Sequence, residues 1–255
     1  MTWLKRSAKL FYATVPFKQQ LFTVLRSLVP VPVGLYRHLH FKGVFTVEIS
    51  PSERFRVRHH GYMIENEFFW RGIEGWEKVS LELWLRLCRQ SNVIFDIGAN
   101  TGVYSLAAHA VAPRSTVVAA EPVARVFANL ENNIALNEAN IILVRAAISD
   151  HSGTAILYDK SDSDHVLSVS LDPEWNSSNK NLRPVEVPCL TVMDLLERTG
   201  KTTVDLMKIG VETHEPWVLE GCKELIRRDR PSLLIEKHFS QGDFRKRTVK
   251  DQPSA

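Results

Sequence analysis

The sequence predicts an α/β fold built on a doubly wound, mostly parallel sheet. Short apolar segments typical of buried strands alternate along the chain with segments whose apolar residues repeat at helical spacing. The clearest unit is residues 93–106, where an apolar strand stops at Gly98 and a helix follows Gly102. Such a fold binds its ligand at the carboxyl ends of the strands.

The turn after this first strand has the residues of a ligand cradle. Gly98 and Gly102 allow the backbone to turn sharply and a bulky ligand to lie against it. Asn100 or Thr101 is expected to cap the helix that follows. Asp96 stands where the sheet opens, so its carboxylate can accept hydrogen bonds from a cationic ligand.

An acid ends the second strand of the predicted sheet. Residues 116–120 are β-branched or apolar, and Glu121 follows them, about twenty residues past the glycines. A carboxylate at this position can accept hydrogen bonds from both hydroxyls of an adenosine ribose. Val103 occupies the place of the third glycine in a dinucleotide fingerprint. A nucleoside-type ligand is therefore favoured over a nicotinamide dinucleotide.

The remaining elements continue the alternation of strand and helix. Helices are predicted around residues 76–87 and 126–134, after Thr191 with Asp194 in a capping-box arrangement, and after Pro216. Strands are predicted at residues 141–147, 155–158, 166–171, 185–188, 203–211 and 232–235, with a loop at 176–181.

Four segments follow from these patterns. Residues 1–42 form a basic amphipathic helical leader, and residues 43–92 hold one or two antiparallel strands and a helix that packs on the core. Residues 93–238 form the core, and the polar tail 239–255 is expected to be disordered or a truncated end.

The charge of the chain is concentrated in the leader. The chain has 32 basic and 29 acidic residues, yet the first 42 residues contain seven basic residues and no acid. Charged and polar residues interrupt every apolar run, so neither a signal peptide nor a membrane span is predicted. Two interpretations stay open: a helical lid packed on the main domain, or peripheral contact with an anionic membrane face or acidic substrate.

Composition excludes several other classes of protein. A hydrophobic fraction of 44% and a charged fraction of 24% are typical of an ordinary globular chain. The three cysteines are odd in number and far apart, which argues against a disulfide framework or zinc knuckle and favours a reducing, cytoplasmic location. Four histidines have no nearby cysteine or acidic partner and are interpreted as surface residues, so no metal is expected: His38, His40, His59 and His60.

Five motifs in order carry a family resemblance: DIGANTG, AAEP, LTVMDLLE, VDLMKIGVETHEPWVLEG and PSLLIEKH. Over residues 62–238 the chain resembles the FkbM-type family of S-adenosylmethionine-dependent methyltransferases. The resemblance implies a seven-stranded Rossmann-like class I methyltransferase fold and O-methylation of a small-molecule hydroxyl, often on a sugar or natural product. It also implies that the turn holds S-adenosylmethionine through Asp96, Gly98, Ala99, Asn100 and Gly102, and that Glu121 holds the ribose.

Methyl transfer to a hydroxyl also needs a group that takes the proton. Four candidates project from the carboxyl ends of the fourth and fifth core strands: Glu212, His214, Glu236 and His238. Purely structural roles remain alternatives, because Glu212 or Glu215 can cap the following helix and His238 can bond a loop.

Two departures from the family pattern favour an alternative function. Where the family has KIDVEGHE, this chain has Gly210 and Thr213. The first removes a carboxylate, and the second adds bulk where an unusual backbone conformation is expected. The chain also ends before the last strands of the family, and the unfinished sheet edge could pair with another chain, although the sequence leaves the oligomeric state open. The alternative is a catalytically degenerate relative that binds cofactor or a partner. Nucleic-acid methylation is disfavoured, because no Asn-Pro-Pro-type signature follows the fourth strand.

Overall fold

The computed structural model describes residues 16–160, 169–170 and 182–236. The chain divides into two compact units, Met1–Leu81 and Glu82–Ala255. Among the described residues, no helix is long and apolar enough to cross a membrane.

The first unit is built on an antiparallel strand pair with flanking helices. Its elements are α1 (Lys18–Leu28), α2 (Val33–Tyr36), β1 (Gly43–Glu48), β2 (Arg54–His59), α3 (Met63–Arg71) and a 3₁₀ turn (Gly72–Glu74), and α4 (Lys78–Cys88) crosses the unit boundary. Strands β1 and β2 pair from Gly43 opposite His59 to Glu48 opposite Arg54, which confirms the predicted antiparallel strands. Their alternate residues face inward and are buried.

The prediction that His59 is a surface residue is wrong. It belongs to the inward-facing set of β2, and its side chain is buried. Its Nδ1 accepts a hydrogen bond from the Gly61 amide (2.9 Å), and its Nε2 lies 3.2 Å from Asn66 Oδ1. The imidazole is therefore a hydrogen-bonded part of the interior of this unit.

The second unit contains the predicted parallel sheet. Its strands are β3 (Val93–Ile97), β4 (Thr116–Ala120), β5 (Ile141–Val144), β10 (Leu206–Ile209) and β11 (Ser232–Ile235), in the spatial order β11-β10-β3-β4-β5. All neighbours are parallel. From β3 the chain continues to β4 and β5 on one side of the sheet, whereas from β10 it continues to β11 on the other side. The sheet thus has its topological switch point between these two strands, where a doubly wound fold has its ligand crevice.

Most helices of this unit agree with those predicted from the sequence. They are α5 (Val103–Val111), α6 (Ala124–Leu136), α7 (Val192–Thr199), α8 (Glu215–Gly221) and α9 (Lys223–Asp229). Thr191 and Asp194 form the predicted capping box, and Gly200 ends α7 in the left-handed conformation. The single helix expected after Pro216 is instead two short helices that meet at Cys222. Helix α7 and both short helices contribute to the buried core: Leu195, Leu196, Val218, Cys222 and Leu225.

A second, smaller sheet interrupts the alternation. It contains β6 (Ala147–Ile148), β7 (Gly153–Lys160), β8 (Val169–Ser170) and β9 (Leu182–Leu190), in the order β6-β9-β7-β8. The strand predicted over residues 141–147 is therefore two strands: the core strand ends at Val144, and Ala147 pairs with Cys189 of β9. Strands β7 and β9 form a long antiparallel pair, of which the sequence indicated only the central parts. The predicted loop 176–181 and tail 239–255 lie outside the described residues.

Candidate functional site

The turn after β3 is confirmed as a tight glycine turn pressed against the end of β10. Gly98 has φ +81°, and a Cβ there would lie 2.0 Å from the carbonyl oxygen of Gly210. Gly102 has φ +89°, and a Cβ there would lie 2.5 Å from Leu130 Cδ1. Both positions therefore require glycine, the first because two backbones touch and the second because a helix packs on it.

The expected helix cap is wrong. Helix α5 begins after Gly102, which occupies the N-cap position in the left-handed conformation, and no side chain caps it. Asn100 adopts φ +52° instead. Asn100 Oδ1 and Thr101 Oγ1 are buried and have no hydrogen-bond partner among the described residues. Two polar atoms of the turn are thus left with hydrogen-bonding capacity that a ligand can satisfy.

Asp96 is buried at the carboxyl end of β3. Its Oδ2 accepts a hydrogen bond from Ser105 Oγ (2.6 Å), whereas Oδ1 has no partner in the described part of the chain. Burial raises the pKa of this carboxyl above its ordinary value, while the Lys208 ammonium and the Ser105 hydrogen bond act in the opposite direction. The unpartnered oxygen suits a cationic or hydrogen-bond-donating ligand.

Glu121 lies beside the turn, as the spacing predicted. Its Oε2 accepts a hydrogen bond from the Asn100 amide and its Oε1 from the Val123 amide, both at 3.0 Å. A carboxylate has about four acceptor sites, so two remain for a ligand. Burial raises the pKa of Glu121 to about 7, against the lowering effect of the two backbone hydrogen bonds.

A buried lysine stands across the switch point from the turn. Lys208 pairs in register with Asp96 on the neighbouring strand, and its side chain is buried. Its Nζ lies 2.7 Å from Glu236 Oε1 and 4.6 Å from the centroid of the Tyr104 ring. The ammonium thus stands among two carboxylates and an aromatic face, which together compensate for its removal from water. We name Asp96, Lys208, Glu236 and Tyr104 the Lys208 cluster.

The Lys208–Glu236 pair occupies the space above Gly210. A Cβ at this position would lie 2.6 Å from Lys208 Nζ and 2.7 Å from Glu236 Oε2. The Glu236 amide donates to the Ile209 carbonyl (3.0 Å), which places this residue directly beside the end of β10. A carboxylate is therefore present at the site although residue 210 has no side chain.

His214 is oriented by two neighbours. Its Nε2 lies 2.9 Å from Ser149 Oγ, and its ring stacks on Trp217 with centroids 4.8 Å apart and planes inclined by 7°. Ser149 Oγ donates to Asp150 Oδ1 (3.0 Å), so the consistent tautomer of His214 donates its Nε2 proton to Ser149. Hydrogen bonds from His151 and Ser149 lower the pKa of Asp150.

The residues between β10 and α8 adopt an unusual backbone. Glu212 and Thr213 both have positive φ, at +49° and +76°. The expectation that position 213 needs an unusual conformation is confirmed, because glycine adopts this region freely and a β-branched residue rarely does. Glu215 Oε1 accepts a hydrogen bond from the Val211 amide (3.3 Å). Glu215 therefore has a structural role, which was one of the alternatives in the sequence analysis. His238 lies outside the described residues.

Sequence reasoning missed Lys208 as a site residue. The signal was present, since a lysine within an apolar strand segment must be paired or reach water. Ser105 was also missed, because a serine inside a helix gives no sign that it bonds a carboxylate on a neighbouring strand.

The parallel sheet with its switch point between β3 and β10, the glycine turn and the acid after β4 define a Rossmann-like fold of the class I methyltransferase type. The chain belongs to the Methyltransferase FkbM domain family, which matches residues 96–252. It is a methyltransferase by family.

Two curated relatives are similar to this chain. It is 26% identical over 179 residues to the 31-O-demethyl-FK506 methyltransferase FkbM of Streptomyces tacrolimicus, which covers 60% of this chain and 68% of that protein. It is 24% identical over 165 residues to Methyltransferase 1 of Beauveria bassiana, covering 59% and 66%. The chain thus spans about two thirds of the length of each.

Solved structures that match this chain include the following two. One is a SAM-dependent methyltransferase from Agrobacterium tumefaciens, with 12% identity, a TM-score of 0.40, and coverage of 81% of this chain and 57% of that one. The other is the methyltransferase FkbM from Methylobacillus flagellatus, with 14% identity, a TM-score of 0.39, and coverage of 67% and 41%.

The left-handed conformation at position 213 predicts an order of stability among variants. Thr213→Gly removes the steric strain, whereas Thr213→Val keeps the β-branch and loses only the hydroxyl. We expect Thr213→Gly to exceed Thr213→Val in free energy of unfolding by about 1 kcal/mol. Urea denaturation of both variants measures the difference, and a valine variant as stable as the glycine variant contradicts the strained conformation.

The raised pKa of Glu121 predicts a pH-dependent stability. Because this pKa is higher in the folded chain than in the unfolded chain, ionisation costs free energy as the pH rises through the window from about 4.5 to about 7. The stability of the natural chain relative to Glu121→Gln should therefore fall across that window, by up to about 3 kcal/mol. Denaturation of both proteins at a series of pH values measures it, and parallel pH profiles refute the assignment.

Proposed function

We propose that this protein is an S-adenosylmethionine-dependent methyltransferase that methylates a hydroxyl oxygen of a small molecule, such as a sugar or natural product. Membership of the FkbM domain family supports methyl transfer. The relative from Streptomyces tacrolimicus is named for methylation at an oxygen, which supports a hydroxyl as the acceptor. The comparisons do not favour the alternative, a relative without catalytic activity.

The observation that carries the cofactor assignment is the set of unsatisfied polar atoms at the turn. Buried polar atoms in native proteins nearly always have partners. Here three atoms within six residues have none among the described residues: Asp96 Oδ1, Asn100 Oδ1 and Thr101 Oγ1. They flank a glycine turn, with the Glu121 carboxylate beside it. An adenosyl ligand with an amino group and ribose hydroxyls brings the donors that the carboxylates and the amide oxygen lack.

The residues present fit the cofactor in separate roles. Asp96 Oδ1 is suited to the amino group, and the remaining acceptor sites of Glu121 are suited to the ribose hydroxyls. Gly98, with its positive φ, lets the backbone turn sharply beside the place where the ligand would lie. When bound, S-adenosylmethionine supplies the methyl group as an electrophilic sulfonium.

Glu236 is the first candidate for the group that takes the acceptor proton. Its carboxylate lies above Gly210, whose carbonyl touches the Gly98 turn. Lys208 binds Oε1, and the Glu236 side chain is 22% exposed, so it is both held and accessible to an acceptor. A fixed carboxylate can orient a hydroxyl and accept its proton as the oxygen attacks the methyl group.

His214 is the second candidate. Ser149 holds its Nε2, and stacking on Trp217 fixes the plane of the ring, so the imidazole has a defined orientation. Glu212 stays a candidate as well, in the strained segment that precedes His214. The pH profile of turnover distinguishes an imidazole from a carboxylate, because their ordinary pKa values differ by about two units.

Two measurements test the proposed function as a whole. Isothermal titration with S-adenosylmethionine tests cofactor binding. Mass detection of methylated products from a panel of hydroxyl compounds tests the reaction. No binding heat removes the enzyme interpretation, whereas binding without product from any hydroxyl compound removes O-methylation and leaves the cofactor site.

The ribose assignment predicts a pH-dependent affinity. Because only the ionised carboxylate accepts from both hydroxyls, the affinity for S-adenosylhomocysteine should rise as the pH increases through about 7. Glu121→Gln should bind about tenfold more weakly and lose this pH dependence. Titration at a series of pH values measures both effects. Glu131→Gln, an exposed acid on α6, is the matched control and should behave like the natural chain.

The Lys208 cluster predicts that a carboxylate can be moved from residue 236 to residue 210. Glu236→Ala leaves the buried ammonium without its close partner, so it should cost about 3 kcal/mol of stability and most of the turnover. Adding Gly210→Asp restores a carboxylate next to Lys208 and should recover part of both. Thermal denaturation and product formation measure the series.

The matched control is the double variant Gly210→Asn/Glu236→Ala, which has the same size without the charge. Equal recovery by asparagine shows that filling the space, not the charge, is what matters. Gly210→Asp alone should destabilise the chain, because its side chain meets the existing ion pair and brings a second carboxylate to Glu236.

A further inference from the structure

Exposed apolar side chains are concentrated in one short stretch of the first unit. Among the described residues, fifteen large hydrophobic side chains are exposed, and seven of them fall between residues 17 and 35. They are Phe17, Leu21, Val24, Leu28, Val29, Val33 and Leu35. Single exposed hydrophobic residues are normal on a protein surface, but a cluster of this size indicates an interaction surface.

Four of these residues form one face of α1 and its N-cap. Phe17, Leu21, Val24 and Leu28 are separated by four, three and four residues, so they follow one another along the same side of the helix. We name them the α1 stripe. Each is more than half exposed.

The other face of α1 anchors the helix to its own unit. Phe22 is buried and contacts the Trp70 ring, with centroids 5.6 Å apart. Gln19 donates to the Val44 carbonyl, and Arg26 donates to the Phe69 carbonyl with its guanidinium over the Phe69 ring. The helix is therefore docked by a polar and aromatic face, and the α1 stripe faces outward.

The charge around the stripe indicates what covers it. The first 42 residues have seven basic residues and no acid, and this group includes Lys18 at the start of the helix and the exposed residues Arg37 and Lys42 after it. An amphipathic helix with apolar residues on one side and basic residues around them is suited to an anionic lipid surface. Eleven residues are too short to span a bilayer, so such a helix lies in the plane of the interface.

We propose that the α1 stripe docks this protein on an anionic membrane surface. The apolar side chains enter the boundary between lipid headgroups and acyl chains, and basic residues among residues 18–42, other than the anchored Arg26, contact the headgroups. This inference is independent of the methyltransferase reaction, because it concerns a different unit of the chain and a different ligand.

Sedimentation with lipid vesicles tests the proposal on the full chain. The chain should bind vesicles of phosphatidylcholine with about 30% phosphatidylserine, and not vesicles of phosphatidylcholine alone. Binding should weaken as the salt concentration rises, because the headgroup contacts are screened. The double variant Leu21→Glu/Leu28→Glu should reduce binding by about tenfold or more.

Val79→Glu is the matched control, since Val79 is 79% exposed and lies outside the stripe. It should bind vesicles like the natural chain, and circular dichroism should show that all variants fold. Three results overturn the proposal: no binding to anionic vesicles, equal loss in the control, or self-association that the double variant abolishes in a chain that does not bind lipid. The last result would identify a second copy of this chain as the occupant of the stripe.

Discussion

The contact between the Gly98 turn and the carbonyl of Gly210 fixes the geometry of the sheet at the carboxyl ends of its strands. Two strands that diverge from the switch point bring their first loop residues together there, and only residues without side chains allow that approach. The Gly210 amide donates to Ile97 and the Glu236 amide to Ile209, so the ladder of hydrogen bonds continues one residue beyond each strand. The turn, the end of β10 and the end of β11 therefore form one rigid rim.

Electrostatics at this rim centre on a single buried cation. Lys208 cannot reach bulk water, so its ammonium must be stabilised by the Glu236 and Asp96 carboxylates and the Tyr104 ring. The same arrangement explains why Asp96 can stand in the interior with one oxygen unpartnered, since Lys208 opposes the rise of its pKa that burial causes. The charges that balance one another thus come from three neighbouring strands. The sequence of any one strand is therefore not enough to predict this arrangement.

The parts of the fold that depend on local pattern could be predicted from the sequence. The strand-turn-helix at Gly98, the capping box at Thr191 and the acid after β4 are all set by residues close together in the chain. Features that depend on distant partners were not predicted. Ala147 leaves the core sheet because β9, some forty residues later, offers it a parallel partner. The N-cap of α5 is glycine because Leu130 packs on that position, which no rule of local capping can detect.

The same distinction bears on Gly210 and Thr213, the two residues that set this chain apart from its family's motif. Considered from the sequence alone, glycine at position 210 means that the carboxylate of the family motif is absent. In the folded chain the space above it is filled by the ends of the Glu236 and Lys208 side chains, so a side chain at 210 would require this ion pair to shift. Thr213 differs in kind, because its left-handed backbone costs a β-branched residue about 1 kcal/mol that glycine would not lose. A carboxylate thus remains beside position 210, and threonine at 213 adds backbone strain without removing a side chain from the site. Neither residue therefore argues on physical grounds for a loss of function.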